Sequence, residues 1–165
     1  MELVELGPED NERYNAFFRA GTLAHPRTLR IAPQDFELAP FLLQPGSGRT
    51  TLAAVDEAGS WLGVGSLEPD VGRIKRAHIA WVVRMLVTDG GRGVGRLLLR
   101  ALIERAQLLP GIEKLNLTVA AANERAVGLY ASEGFVVFSK EEDAFRAGGE
   151  PISELSMSLR LAATP

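Results

Sequence analysis

The chain has 165 residues, and 46% of them are apolar, which is enough for one sizeable hydrophobic core but hard to divide between two ordinary domains. Eighteen Lys and Arg against 21 Asp and Glu give a net charge of −3 at pH 7, whereas a dedicated nucleic-acid binder would show a basic excess. No cysteine is present, which excludes disulfides, thiolate nucleophiles and Cys-based zinc sites.

The start of the chain is acidic and lacks the basic and then apolar runs of a secretory signal. No stretch approaches the roughly 18 uninterrupted apolar residues that a membrane span needs. We therefore expect a cytoplasmic protein that binds neither membrane nor nucleic acid. His25 and His78 lie far apart, outside any spaced His or carboxylate cluster, so we expect no metal site.

The N-terminal half predicts a strand, a helix, an irregular connector and two hairpins. Asp10 is the expected cap of the first helix, and four prolines restrict any helix in the connector to a short one. The run before the glycine-rich loop is apolar on both faces, as in a central strand. The predicted spans are strand 3–6, helix 12–22, connector 25–48 and strands 50–55, 61–67 and 78–87.

In the C-terminal half the hydrophobic period changes from two to 3.6 after Gly95, which predicts an amphipathic helix that ends before Pro110. Asn123 is expected to cap a short helix that Gly134 ends. Strands are predicted at 115–119, 135–138 and 155–161, the last two joined by a long hairpin loop. Hairpins around a strand–helix–strand centre predict an α+β (mixed α/β) fold rather than a doubly wound sheet.

A glycine-rich loop, residues 90–95, lies between the central strand and the amphipathic helix. Glycines let the chain turn tightly, and the helix N-terminus favours an anion such as a pyrophosphate. The loop is not a Walker loop, because Arg96 and Leu97 follow Gly95, and its glycines at 91, 93 and 95 do not match the dinucleotide fingerprint. A glycine-rich turn without a ligand is the alternative.

Further motifs follow this loop in a fixed order: its helix, the strand LNLTV, then Asn123, Ala126, Tyr130 and the pair Gly134 and Phe135. This order resembles the GNAT superfamily of acyl-CoA-dependent N-acyltransferases. There the pattern is Gln/Arg-x-x-Gly-x-Gly/Ala opening a helix, a strand, Asn-x-x-Ala-x-x-x-Tyr and Gly-Phe. The resemblance covers roughly residues 76–161.

One position departs from the family pattern. Gly90 stands where the family has Gln or Arg, three residues before Gly93. We expect Arg92 and Arg96 to supply the positive charge instead.

The resemblance implies one acetyltransferase domain over residues 1–165. It implies a central mixed, mostly antiparallel sheet of about seven strands, flanked by helices and splayed at the acetyl-CoA site. Asn123 has two expected roles, as a helix cap and as a contact to the arm of acetyl-CoA. The cofactor-binding positions implied are Met85, Leu86, Val87, Gly91, Arg92, Gly93, Val94, Gly95, Arg96, Asn123 and Tyr130.

The implied reaction is direct attack of an amine on the thioester of acetyl-CoA in a ternary complex. A backbone N–H near Val87 stabilises the oxyanion, and Tyr130 is the general acid that protonates the departing thiolate. His78 and Glu68 are candidate general bases, although we favour an ordinary strand-end role for each.

The acceptor is expected to be a small-molecule or peptide amine, bound by residues 12–48 and 140–151. An acidic cluster of Glu141, Glu142 and Asp143 can attract a cation, but a solvated loop is the reading we favour there. The final strand, residues 155–161, would form a homodimer if it lay uncovered at the sheet edge.

Two other functions stay open at this stage. One is a domain of the same fold that binds acyl-CoA as a sensor with little turnover. The other is a nucleotide-binding module unrelated to CoA, which would bind ATP more tightly than acetyl-CoA.

Overall fold

The computed structural model describes residues 1–38, 40–44, 46, 48–88 and 90–162. Its helices are α1 (Asn11–Ala24), α2 (Asp35–Leu38), α3 (Val94–Gln107) and α4 (Glu124–Ser132), with 3₁₀ turns at Pro8–Asp10 and Ile74–Arg76. Its strands are β1 (Glu2–Glu5), β2 (Thr50–Val55), β3 (Trp61–Pro69), β4 (Ile79–Val87), β5 (Lys114–Ala120), β6 (Val136–Ala147) and β7 (Glu150–Arg160).

One seven-stranded sheet has the order β1-β2-β3-β4-β5-β7-β6. Its neighbouring strands pair antiparallel except β4 and β5, which are parallel and joined through α3. The predicted α+β fold is confirmed. The connector is irregular apart from α2 in its described part, as its prolines predicted.

Helices cover both faces of the sheet and bury two separate apolar clusters. The cluster beneath α3 and α4 contains the buried stripe of α3, including Leu98 and Leu102, which matches the predicted amphipathic face. The cluster beneath α1 contains Tyr14 and Phe18. Side chains of β2 alternate between the clusters, with Ala53 in one and its neighbours in the other, as strand geometry requires.

The expected cap at Asp10 is wrong in detail. Asp10 occupies the N-cap position of α1, but its side chain makes no capping bond there. Its carboxylate instead accepts the N–H of Gly7 at 3.1 Å, at the start of the preceding 3₁₀ turn. The cause is local, since a 3₁₀ turn runs directly into α1.

The C-terminal hairpin differs from the prediction. The strands continue through residues 140–147 to a tight turn at Gly148 and Gly149, whose φ values of +59° and +83° suit a two-residue hairpin turn. There is therefore no long hairpin loop. The acidic cluster lies on β6, with Glu142 bonded to Lys140 at 2.7 Å and Asp143 to Arg146 at 2.9 Å.

The predicted role of the final strand in a dimer is also wrong, because β7 is not at the edge of the sheet. It pairs with β5 on one side and with β6 on the other. Alternation along a strand reports its two faces but not its place in the sheet. None of the described helices is long and apolar enough to cross a membrane.

Candidate active site

The parallel strands β4 and β5 separate part-way along their length. They pair at Ile79 with Lys114, Ala80 with Leu115 and Trp81 with Asn116, and the described residues of the two strands pair no further. Both strands continue, β4 to Val87 and β5 to Ala120. The sheet is thus splayed at its centre, and residues 82–87 present one backbone edge to the gap.

A β-bulge shapes the splayed part of β4. Arg84 and Met85 together lie opposite one residue of β3, Gly65, and Arg84 has a positive φ of +53°. The extra residue reverses which side chains face each core: Val82 belongs to the α3 side and Leu86 to the α1 side. A Cβ on Gly65 would lie 2.4 Å from the sulfur of Met85, so a larger residue there would require the Met85 side chain to move.

A cavity of about 710 Å³ fills the gap between β4 and β5. Residues of α3, α4 and the glycine-rich loop line it on one face of the sheet. Phe18 of α1 and connector residues, including His25 and Arg30, line it on the other face. The cavity therefore passes through the sheet, so two ligands can meet in it from opposite faces.

The glycine-rich loop brings the N-terminus of α3 to this cavity. Gly91 and Gly93 have φ values of +98° and +77°, a left-handed conformation that glycine adopts without strain. The first α-helical bond of this turn runs from the N–H of Leu97 to the carbonyl of Gly93. The N–H groups of residues 94–96 precede it and point out of the helix, as an anion site requires.

Tyr130, on α4, lines the cavity and is buried. Burial raises the pKa of its phenol from 10.0 to about 12. Its ring lies 6.0 Å from that of Phe135 in an edge-to-face arrangement. The phenol is therefore protonated at neutral pH and held in one place by packing, which is what a proton donor needs.

Asn123 lines the same cavity at the start of α4. Its side-chain oxygen accepts the N–H of Ala126 at 3.2 Å, so it caps the helix as predicted. The cap fixes the carboxamide at the mouth of the cavity. A contact of its amide group with a ligand stays a prediction.

A family model described as the acetyltransferase (GNAT) family matches residues 13–135, about three quarters of the chain. The chain belongs to the GNAT acetyltransferase family. It is accordingly an acyltransferase. A comparison with curated proteins gives no match.

Solved structures share the fold of this GNAT acetyltransferase over nearly its whole length. A GNAT-family acetyltransferase from Streptococcus pneumoniae is 24% identical, with a TM-score of 0.83 over 97% of this chain and 99% of its own. A GCN5-related N-acetyltransferase from Kribbella flavida is 27% identical, with a TM-score of 0.80 over 97% of both chains. A GNAT-superfamily phosphinothricin acetyltransferase from Sinorhizobium meliloti, solved with acetyl-CoA, is 18% identical, with a TM-score of 0.79 over 97% of this chain and 88% of its own.

Most predicted site residues of the GNAT acetyltransferase do come together at the cavity. Those that line it are Met85, Leu86, Val87, Gly91, Gly93, Val94, Gly95, Arg96, Asn123 and Tyr130. The lining also includes Gly90 and Arg125, and the sequence analysis did not single out Arg125.

The two arginines expected to replace the family's Gln or Arg are placed differently. Arg92 is exposed and does not line the cavity. Arg96 lines it, but its guanidinium contacts Ser132 at 3.2 Å and Glu133 at 3.4 Å. Hydrogen bonding from Arg100 and the charges of both arginines lower the pKa of Glu133, so its carboxylate stays ionised and holds Arg96 toward the end of α4.

The two predicted bases do not line the cavity. His78 precedes β4 at the end where the strands are paired, roughly 13 Å along the strand from Val82, where the splayed part begins. It is exposed and lies outside the cavity lining. Glu68 lies on β3 and forms an ion pair with Arg84. The sequence places both residues near strand ends, but it does not show at which end of the strands the cavity lies.

A buried carboxylate that the sequence analysis did not single out lies on the connector side of the cavity. Glu154, near the start of β7, lines the cavity with only 7% of its side chain exposed. It forms an ion pair with Arg30 of the connector, whose side chain is 54% exposed. Because Glu154 pairs with Ala120 of β5 across the sheet, it lies beside the splayed end.

The chain has two tyrosines, and the structure predicts that both ionise late. Burial raises the pKa of Tyr14 above 10.0, and that of Tyr130 to about 12. A higher pKa means that the neutral phenol persists to higher pH. In a spectrophotometric titration, tyrosinate absorbance of the folded protein should stay nearly flat through pH 10 and develop above it.

Tyr130→Phe should remove the later part of that titration and leave the part due to Tyr14. The unfolded protein, titrated in denaturant, provides the control, since both phenols then ionise near pH 10. Development of the whole tyrosinate signal near pH 10 in the folded wild type would contradict the placement of Tyr130.

Proposed function

We propose that this GNAT acetyltransferase transfers the acetyl group of acetyl-CoA to an amine, by direct attack in a ternary complex formed by one domain over residues 1–165. The observation that carries the proposal is the cavity through the sheet. On one face it ends at the N-terminus of α3, and on the other at the buried carboxylate of Glu154. An anionic acyl donor and a cationic acceptor suit these two ends.

The cavity residues fit acetyl-CoA. The outward N–H groups at residues 94–96 suit its pyrophosphate. Residues 82–87 leave backbone N–H and C=O groups facing the gap without a β5 partner in the described chain. Buried backbone groups need partners, and the amide-containing arm of CoA can pair with such an edge as an added strand does. Apolar side chains such as Leu86 and Leu129 complete the walls.

The chemistry needs one bond made, one bond broken and one proton moved. The neutral amine nitrogen forms a bond to the acetyl carbonyl carbon, and the carbon–sulfur bond breaks with its electron pair on sulfur. The attacking nitrogen loses a proton, and the CoA thiolate gains one. Tyr130 donates to sulfur, and its phenolate regains a proton through solvent or from the nitrogen. In this proposal an N–H of the splayed part of β4, near Val87, stabilises the oxyanion.

Glu154 is the group that we assign to the acceptor. An ammonium group entering from the connector side can replace the guanidinium of Arg30 beside this carboxylate. Arg30 lies half in solvent, so its displacement costs little, whereas a buried Glu154 without any cation would be costly. The same carboxylate, or a water held by it, can take the amine proton before attack. Cationic amines are therefore the expected acceptor class.

Binding of acetyl-CoA tests the donor side, using an isosteric pair at Gly93. Asn and Asp both tolerate the left-handed conformation found there, and no atom lies within 4 Å of a Cβ at this position. Gly93→Asp places a negative charge at the phosphate site, whereas Gly93→Asn does not. By calorimetry, the Asp variant should bind acetyl-CoA at least about tenfold more weakly than the Asn variant.

Turnover separates the transferase from a sensor of the same fold. The wild type should release CoA thiol steadily with some amines in a panel, and Tyr130→Phe should lower kcat about a hundredfold with acetyl-CoA binding retained. Tight binding without thiol release for any amine would support the sensor alternative. Tighter binding of ATP than of acetyl-CoA would contradict both.

The two partners of the acceptor ion pair should have opposite effects on amine KM. Glu154→Gln removes the charge that holds the ammonium and should raise KM for a cationic amine about tenfold. Arg30→Ala removes the competing cation and should lower it. Steady-state kinetics at saturating acetyl-CoA measures both. Changes of the same sign, with a matching loss of melting temperature, would show that the pair only supports the fold.

A further inference from the structure

We propose that the guanidinium of Arg125, on α4, binds the pyrophosphate of acetyl-CoA. It takes the place of the Gln or Arg side chain that the family's loop pattern has at the position of Gly90. The inference rests on the proposed function and assigns a further residue to the same site. It begins from a contact between two elements that are far apart in sequence. A Cβ built on Gly90 would lie 1.5 Å from Nη1 and 2.1 Å from Cζ of Arg125.

Backbone conformation does not explain the glycine at position 90. Gly91 and Gly93 have positive φ values, whereas Gly90 lies outside that region, where any residue is tolerated. What glycine provides at 90 is space, and the guanidinium of Arg125 occupies it. The side chain missing from the loop is thus replaced by one that reaches the same place from α4.

The position of Arg125 in α4 gives independent support. It is the second residue of a nine-residue helix, where the helix dipole disfavours a cation. Its guanidinium lies over the loop that opens α3, with Nη2 3.9 Å from the Cβ position of Gly91. Arg125, from the first turn of α4, therefore reaches the glycine-rich loop that leads into the N-terminus of α3. Such a concentration of positive potential is typical of a site for a multiply charged anion.

Arg125 is exposed to solvent at the start of α4 and lines the cavity. Asn123 anchors the first turn of α4 through its cap to Ala126, and both Gly90 and Arg125 line the cavity. Arg96, which lines the cavity from the first turn of α3, is held by Glu133. A guanidinium can bond two phosphate oxygens at once, which a lysine ammonium cannot match in geometry.

The test compares acetyl-CoA with S-acetylpantetheine, which lacks the pyrophosphate. In calorimetry, Arg125→Ala should weaken acetyl-CoA binding about tenfold and leave binding of S-acetylpantetheine unchanged. Arg125→Lys should recover only part of the loss. Melting temperatures of all variants establish that they are folded.

A second variant restores the guanidinium from the other side. In Gly90→Arg/Arg125→Ala the space vacated by Arg125 is open to the new side chain, and acetyl-CoA affinity should return toward that of the wild type. Unchanged acetyl-CoA binding by Arg125→Ala would overturn the assignment, as would equal weakening of both ligands. If the wild type itself failed to bind acetyl-CoA, the proposed function would fail together with the assignment. If the wild type binds and Arg125→Ala binds equally well, only the assignment fails.

Discussion

The end of pairing between β4 and β5, after Trp81 and Asn116, is the constraint on which the rest of the structure depends. Parallel strands that stayed paired would close the sheet and leave no cavity. Because they separate, the backbone of residues 82–87 is presented to the gap, and ligands can enter from both faces. The bulge opposite Gly65 adds to this by bending the strand and reversing its side chains where it leaves its partner.

Charged groups of opposite sign lie on the two sides of the cavity. On the α3 side, helix N–H groups and Arg125 create positive potential, while the guanidinium of Arg96 is held by Glu133. On the connector side, Glu154 is negative and its cation comes from a half-exposed residue. Tyr130 also lines the cavity, and its buried phenol keeps its proton at neutral pH.

Much of the fold was predictable because local periodicity reports burial directly. The stripe of α3, the two-faced apolar run of β4 and the cap at Asn123 are each determined by residues close in sequence. The order of the strands in the sheet was not predictable, because apolar and polar residues alternate in the same way in an edge strand and in an inner strand such as β7. Its antiparallel pairing with both β5 and β6 depends on the whole chain.

The candidate site was likewise only partly predictable from local sequence. The glycine-rich loop was recognised from its residues and its place before a helix, and Tyr130 from the resemblance to the GNAT family. Arg125 and Glu154 contact residues 35 and 124 positions away, Gly90 and Arg30, which no local pattern encodes. His78 lies at the paired end of β4 and outside the cavity lining, which agrees with the ordinary strand-end role that the sequence analysis favoured.

Hydrogen–deuterium exchange with and without acetyl-CoA tests the central claim most directly, that the splayed edge of β4 and the start of α3 together hold the acyl donor. The account predicts slower exchange of the amides at residues 83–87 and 94–96 when acetyl-CoA is bound, with β1 and β6 unchanged. Binding that leaves both segments exchanging as before would contradict it.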